Sequence, residues 1–148
     1  MSSVLRLVPQ APKATGDTPA IDVLARTIYG EARGESVRGM EAVAAVVMNR
    51  VARGGWWGRT VETVCLKPWQ FSCWNAADPN RRRVLEVTDA DPVFRTCLRI
   101  ARRAVAGAVD DPTKGATHYH AVGVLPEWAK GRQPCARIGD HLFYNDVE

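Results

Sequence analysis

The spacing of apolar and polar positions predicts three main helices along the chain. The first begins at Thr18-Pro19, because threonine caps the free amides at a helix start and proline suits the first turn. Apolar residues then recur at helical spacing as far as Gly30, near which the helix is expected to end. Its inner face comprises Ile21, Leu24, Ala25 and Ile28.

The second helix has its start signal at Glu35-Ser36 and is apolar around most of its circumference. No charged residue stands between Glu41 and Arg50, so this helix is expected to be central and buried. Gly54 and Gly55 are expected to end it, and a loop that carries two tryptophans follows.

The third helix opens at Asp91-Pro92 and has one apolar and one basic stripe. The inner stripe comprises Val93, Cys97, Ile100, Ala101, Ala104 and Ala108, and the outer stripe comprises Arg95, Arg99, Arg102 and Arg103. The outer stripe is interpreted as a solvated helix face, because no nucleic-acid-binding motif accompanies it.

The remaining segments are expected to be short or irregular. Thr60 suits the cap of a short turn, while Pro68 and Pro79 favour irregular structure over residues 67–83. Residues 117–144 mix aromatic and turn-forming residues, which suits short strands or ordered loops. The predicted class is therefore α+β and predominantly α, with a central apolar helix and a small β or irregular portion.

Length and composition are consistent with one globular domain. The chain has 148 residues, of which 46% are hydrophobic and 24% charged. Residues 1–18 have prolines and a glycine without any period, so an extended arm is expected there and a single catalytic domain over residues 19–148. No apolar run reaches the roughly 18 to 20 residues that a membrane-spanning helix needs.

Charge, the N-terminal sequence and cysteine content indicate the kind of partner, the place of synthesis and the role of the cysteines. The net charge of +4 favours contact with an anionic polymer, which could be nucleic acid or a cell wall. The first 18 residues lack the features of a secretory signal, so synthesis in the cytoplasm is expected. The four cysteines show no CxxC spacing and are expected to be small buried residues, with one disulfide left open.

The segment GEARGE contains two candidate catalytic carboxylates, Glu31 and Glu35. If the first helix continued through this segment, the two would be neighbours on one face, with Cβ atoms about 5 to 6 Å apart. Glu31 is expected just past the helix end. A carboxylic acid that keeps its proton near neutral pH could act as the general acid in glycosidic cleavage. From local spacing alone, two solvated glutamates in a turn are the favoured alternative.

Seven aromatic residues stand mostly in loop-like stretches, where they cannot all belong to the core: Trp56, Trp57, Trp69, Phe71, Trp74, Tyr119 and Trp128. Flat aromatic rings in a groove bind sugar rings or bases, because both have apolar faces and polar edges. About half of the seven are expected to cover the core instead.

Two further kinds of chemistry are weaker hypotheses. His118, His120 and His141 could bind zinc, since His-x-His on a strand places both imidazoles on one side. Cys73 could form a nucleophilic set with a histidine and Asn145, although nothing in the sequence indicates that these residues meet. Ordinary hydrogen bonding is the favoured role of the histidines, so neither a metal nor a cofactor is expected.

Four separated blocks of sequence carry a resemblance to one known protein family. The blocks are LARTIYGEARGESVRGMEAVAAVVMNRV (24–51), VCLKPWQFSCWN (64–75), ATHYHAVGVLPEWA (116–129) and RIGDHLFYN (137–145). Together, and in this order, they resemble the SleB-like cell wall hydrolase family, the spore-cortex-lytic enzymes with their bacterial and phage relatives. The resemblance implies a compact lysozyme-like fold and cleavage of the bond between N-acetylmuramic acid and N-acetylglucosamine in peptidoglycan.

The resemblance also implies roles for individual residues. Glu31 would be the general acid of a lytic transglycosylase that forms anhydro-muramoyl ends. The alternatives are a hydrolytic muramidase that uses Glu31 and Glu35, a zinc-dependent peptidoglycan amidase or peptidase, and an inactive wall-binding module. Substrate-binding residues are expected to be Gln70, Phe71, Ser72, Trp74, Thr117, Tyr119 and His120.

Partners and location follow from the same resemblance. The expected partner is the glycan strand of peptidoglycan, bound by a monomer that contacts neither nucleic acid nor membrane. The expected site of action is the cell wall. Because neither a signal peptide nor a separate wall-binding module is recognisable, a phage endolysin released to the wall at lysis is a further hypothesis.

Overall fold

The computed structural model describes residues 16–148, so the predicted arm lies outside the described residues up to position 15. Within this part of the chain, five α-helices precede a small sheet. The helices are α1 (Pro19–Ala32), α2 (Val37–Arg53), α3 (Val61–Leu66), α4 (Arg81–Glu86) and α5 (Pro92–Val105). Single turns of 3₁₀ helix occur at Gly55–Trp57, Ser72–Trp74 and Glu127–Ala129.

The sheet has three antiparallel strands in the order β1-β3-β2. The strands are β1 (His118–Ala121), β2 (Ala136–Ile138) and β3 (His141–Tyr144). Tyr119 pairs with Phe143 in the β1–β3 register, and Arg137 pairs with Leu142 in the β2–β3 register. The predicted α+β, predominantly α class is therefore confirmed.

The three main helices begin where the sequence predicts. Thr18, Ser36 and Asp91 are the N-caps of α1, α2 and α5, and each side chain accepts a hydrogen bond from a backbone amide in the first turn. Gly54 ends α2 with φ of +64°, a conformation that glycine adopts without steric cost.

Helix α2 runs through the core, as its apolar composition predicts. All residues from Ala42 to Val47 are buried, and α1 and α5 pack against this helix. Cores of this kind are stabilised by the removal of apolar surface from water. In the described part of the chain, no helix combines the length and apolar character needed to cross a membrane.

Three details of the predicted elements are wrong. Helix α1 continues beyond Gly30 to Ala32, so Glu31 lies within its last turn. Helix α5 ends at Val105, so Ala108 lies beyond it and is exposed. Val93 is also exposed, while Phe94 and Leu98 face the core. Segment 81–86 is helical, because Pro79 precedes α4 and does not interrupt it.

A buried arginine fastens α1 to the rest of the core. Arg26 has no exposed side-chain surface, and its Nη1 donates to the carbonyl oxygens of Val84 and Val87 at 2.7 and 2.9 Å. Its Nε donates to Asp22 at 3.0 Å, and its guanidinium lies over the Phe94 ring. This network ties α1 to α4, through Val84, and to Val87, the residue that follows α4.

The four cysteines are free thiols, and three of them are buried. Burial raises the pKa of Cys65 and Cys97 to about 12 each, so both thiols stay protonated at neutral pH. The prediction that the cysteines act as small apolar residues is confirmed for these positions.

Candidate active site

The carboxylate of Glu31 and the hydroxyl of Tyr119 form a hydrogen-bonded pair. Tyr119 Oη donates to Glu31 Oε1 at 2.6 Å, across 88 residues of sequence. The last turn of α1 supplies the glutamate, and β1 supplies the tyrosine. Burial and the neighbouring Glu31 charge raise the pKa of Tyr119 well above its usual value, so its hydroxyl remains a donor.

Next to the Glu31–Tyr119 pair, α1 comes close to the 3₁₀ helix Ser72–Trp74. A Cβ on Gly30 would be 2.6 Å from Cys73 Sγ and 2.9 Å from Val84 Cγ2, so only glycine fits there. The Cys73 thiol hydrogen-bonds Glu31, and both burial and the Glu31 charge raise the pKa of the thiol. A protonated, buried thiol is a poor nucleophile, which argues against the hypothesis of cysteine catalysis.

Arg50 places a buried positive charge beside the pair. Its guanidinium lies 4.1 Å from the Trp57 ring centroid and 5.0 Å from that of Phe71, and its Nε donates to the Thr117 carbonyl at 2.8 Å. Burial lowers the pKa of Arg50 to about 10, and the charge on Glu31 opposes that shift. Arg50 therefore stays cationic at neutral pH.

One atom of Arg50 is unsatisfied. Nη1 is buried and has no hydrogen-bond partner among the described residues, an arrangement that costs free energy and is rare away from functional sites. The sequence analysis missed Arg50. The available signal was its position at the end of the uncharged run of α2, where a charged side chain must find partners inside the fold.

A cleft of about 600 Å³ opens beside Arg50 and Tyr119. Four tryptophans dominate its walls, and the full lining is Arg50, Trp56, Trp57, Trp69, Gln70, His118, Tyr119, Trp128 and Glu148. Glu31 is not among the described residues that line the cleft; Tyr119 connects it to the cleft through the hydrogen bond above.

His118 is a neutral member of the cleft wall. Its ring lies between those of Trp57 and Trp128, with centroids 5.2 and 5.0 Å away. Burial and the nearby arginines, Arg50 first among them, lower the pKa of His118 to about 4. The sequence predicts ordinary hydrogen bonding for this histidine, with zinc binding as the weaker hypothesis, and does not predict its place in an aromatic cleft wall.

Two of the seven predicted substrate-binding residues, Gln70 and Tyr119, line the cleft; their contact with substrate stays a prediction. Phe71 and Thr117 are only 2% and 1% exposed. The Arg50 guanidinium lies over the Phe71 ring, and its Nε donates to the Thr117 carbonyl. Because the side chains of Phe71 and Thr117 are buried, neither is among the described residues that line the cleft, and their contact with substrate stays a prediction.

The other three predicted residues have different environments. Trp74 donates its indole hydrogen to Thr27 Oγ1 at 2.9 Å. His120 is buried, with Nε2 bonded to Tyr144 Oη and Nδ1 to the Ala121 carbonyl. Ser72 is exposed but, like Trp74 and His120, is not among the described residues of the cleft lining.

The zinc hypothesis does not match the placement of the histidines. Both ring nitrogens of His120 have hydrogen-bond partners, and the His141 ring packs on Tyr119 with centroids 4.9 Å apart. Among the described residues, no three side chains of His, Cys, Asp or Glu are grouped as metal coordination requires.

Glu35 binds the turn between β2 and β3. Its Oε1 accepts a hydrogen bond from the Asp140 amide at 3.1 Å. Gly139 has φ of +57°, and a Cβ there would collide with the Glu35 carboxylate. Because α1 ends at Ala32, Glu31 and Glu35 are not stacked on one helix face as an extended helix would have placed them.

This contact leads to a prediction about the second carboxylate. If the chain degrades peptidoglycan as its sequence resemblance implies, Glu35→Gln is expected to lower the rate of solubilisation by less than about tenfold, because the amide oxygen can still accept from Asp140 and one neutral hydrogen bond contributes about 1 kcal/mol. Clearing of a peptidoglycan suspension measures the rate. A loss of several orders of magnitude would instead give Glu35 a direct part in the chemistry.

Comparison with protein families gives a match over residues 34–144 to the cell wall hydrolase model. The spore cortex-lytic enzyme of Halalkalibacterium halodurans is 34% identical over 84% of this chain, and that of Bacillus cereus is 32% identical over 83%. The chain spans 34% and 43% of the lengths of these two relatives. Glu31 lies just before the region that the family model matches.

Two solved structures are similar. The catalytic domain of the Bacillus cereus SleB protein superimposes with a TM-score of 0.68 at 28% identity, over 92% of this chain and 96% of that one. The catalytic domain of the germination-specific lytic transglycosylase SleB from Bacillus anthracis gives 0.66 at 29% identity, over 88% and 98%. These similarities confirm the resemblance and the fold class predicted from the sequence.

Proposed function

This chain belongs to the cell wall hydrolase family, and from that membership we propose that it cleaves the glycan strands of peptidoglycan as a lytic transglycosylase, with Glu31 as its general acid. The observation that carries the proposal is the pairing of Glu31 with Tyr119, a residue of the tryptophan-lined cleft. The likeness to SleB catalytic domains supports the same reaction class.

Because Tyr119 donates a hydrogen bond to one oxygen of Glu31, the two carboxyl oxygens have different roles in the proposed reaction. Oε1 accepts the phenol hydrogen, so Oε2 is the oxygen left to deliver a proton to the glycosidic oxygen of the leaving sugar. As the bond to the anomeric carbon breaks, positive charge develops on the muramoyl ring and Glu31 becomes a carboxylate.

The second half of the reaction returns the proton. The Glu31 carboxylate takes the hydrogen of the muramoyl 6-hydroxyl, and that oxygen bonds to the anomeric carbon of the same sugar. The products are a 1,6-anhydro-muramoyl end and a protonated Glu31, so no water is consumed and one carboxyl group is sufficient.

Tyr119 and Arg50 stabilise the charge that forms on Glu31. The phenol donates to it directly, and the attraction between Arg50 and Glu31 opposes the loss of the Arg50 proton. Donors and charges that are already in place need not reorganise during the reaction, which is the main source of electrostatic catalysis.

Product analysis tests the reaction type. Purified peptidoglycan is digested with the full chain, and the released fragments are identified by mass spectrometry. Anhydro-muramoyl ends are the expected result. Reducing muramoyl ends would identify a hydrolytic muramidase, cut peptides would identify an amidase or peptidase, and binding without soluble products would identify a wall-binding module. The predicted endolysin role stays a prediction.

Tyr119→Phe tests the pairing itself. We expect a roughly 10- to 150-fold fall in kcat/KM, because a hydrogen bond to a charged group contributes about 1.5 to 3 kcal/mol. Tyr144→Phe is the matched control, since its hydroxyl bonds His120 and not Glu31. Equal rates for the wild type and Tyr119→Phe would show that the phenol does not assist Glu31.

A further inference from the structure

Trp69 combines two unfavourable features. Its side chain is 82% exposed, and its backbone has φ of +70°, in the left-handed region. That backbone conformation costs free energy for a residue with a bulky side chain. An exposed indole also forgoes the free energy that burial of its apolar surface would contribute. Backbone strain that the surrounding fold maintains is concentrated at binding and catalytic sites.

Trp56 is a second exposed indole on the same cleft. It is 64% exposed, and its neighbour Trp57 packs against it at 71° between the ring planes, with centroids 4.9 Å apart. The ammonium of Lys67 lies 4.4 Å from the Trp56 ring centroid. The preceding glycines, Gly54 and Gly55, both have positive φ, so this loop depends on residues that adopt the left-handed conformation freely.

The two exposed rings differ from the other tryptophans of the cleft. Trp57 is 9% exposed and holds Arg50, and Trp128 packs on His118 and Tyr144. Trp56 and Trp69, which we call the rim tryptophans, therefore have apolar ring surface that no described residue covers fully. Both line the same cleft as Tyr119, the hydrogen-bond partner of Glu31.

We propose that the rim tryptophans form a glycan-binding subsite, in which their rings stack on the apolar faces of N-acetylhexosamine units in the strand that reaches Glu31. Gln70, adjacent to Trp69, offers an amide that can donate to and accept from sugar hydroxyls.

The inference rests on the proposed function for the identity of the polymer, but stacking does not depend on how the bond is cut. A soluble oligomer of N-acetylglucosamine is therefore the probe. It contains the N-acetylhexosamine ring without the 3-O-lactyl group of the muramoyl unit, so its affinity measures stacking on the rim tryptophans separately from peptidoglycan cleavage. Isothermal titration calorimetry measures the affinity without relying on tryptophan fluorescence.

Trp69→Gly is the decisive variant. We expect about tenfold weaker binding of the oligomer, together with an unfolding temperature no lower than that of the wild type, because glycine relieves the left-handed strain. Trp69→Phe should retain most of the affinity. Leu125→Ala is the matched control, since Leu125 is 61% exposed and lies outside the cleft lining.

Kinetics on peptidoglycan provide the second measurement. Trp56→Ala and Trp69→Gly are expected to raise KM about tenfold and to leave kcat nearly unchanged, because the rings bind the strand away from the reacting atoms. Wild-type affinity in Trp69→Gly, or a loss of affinity accompanied by a fall in unfolding temperature, would overturn the proposal. If the wild type released peptide products and Trp69→Gly still bound the oligomer more weakly, the proposed function would be overturned and the proposed subsite would stand.

Discussion

Glu31→Gln is expected to slow glycan cleavage by about 10²- to 10⁴-fold, the usual contribution of a general acid. Glutamine has the same shape, and its amide oxygen can still accept the hydrogen bond that Tyr119 donates to Glu31 Oε1 at 2.6 Å. It has no acidic proton for the leaving oxygen, so chemistry is lost while the site is preserved. Mass spectrometry of fragments released from purified peptidoglycan measures the loss.

The companion measurements separate catalysis from folding. The unfolding temperature of Glu31→Gln should remain close to that of the wild type, since no packing or hydrogen-bond acceptor is removed. Glu35→Gln is the matched control, because it makes the same chemical change at the carboxylate that binds the Asp140 amide. Full activity in Glu31→Gln would contradict the assignment of the general acid.

The starts of the main helices could be predicted because their causes are local. Thr18, Ser36 and Asp91 each bond an amide two or three residues ahead, so a few letters of sequence contain the whole interaction. The end of α1 was less accurate, since Gly30 suggests a helix end, whereas in the structure its missing Cβ leaves room for Cys73 and Val84, which are distant in sequence.

The site was predictable only in part, for a related reason. Glu31 stands in a recognisable motif, but its partner Tyr119 is 88 residues away and no local pattern pairs them. Exposure of the aromatics was also undetermined: Trp57 is 9% exposed and Trp69 is 82% exposed, although both stand in loop-like sequence. Arg50 was missed because its position after the uncharged run of α2 predicts burial but does not identify Trp57 and Phe71 as the rings that surround it.

The largest expected effect on stability comes from Arg26→Met, which should lower the free energy of unfolding by about 3 to 5 kcal/mol, as the loss of one partner in a buried charged network does. The change removes the donor to the carbonyl oxygens of Val84 and Val87. For a chain of this size, the unfolding temperature should fall by roughly 10 °C. Circular dichroism during heating and urea titration measure both quantities.

An exposed arginine provides the control for Arg26→Met. Arg82→Met removes an arginine whose side chain is 85% exposed and pairs with Glu86, so the expected change is within about 0.5 kcal/mol. Below its unfolding temperature, Arg26→Met should also cleave glycan more slowly per folded molecule, because α1 carries Glu31 and loses its attachment to the segment after α4. Equal stability of the two variants would mean that apolar packing alone positions α1.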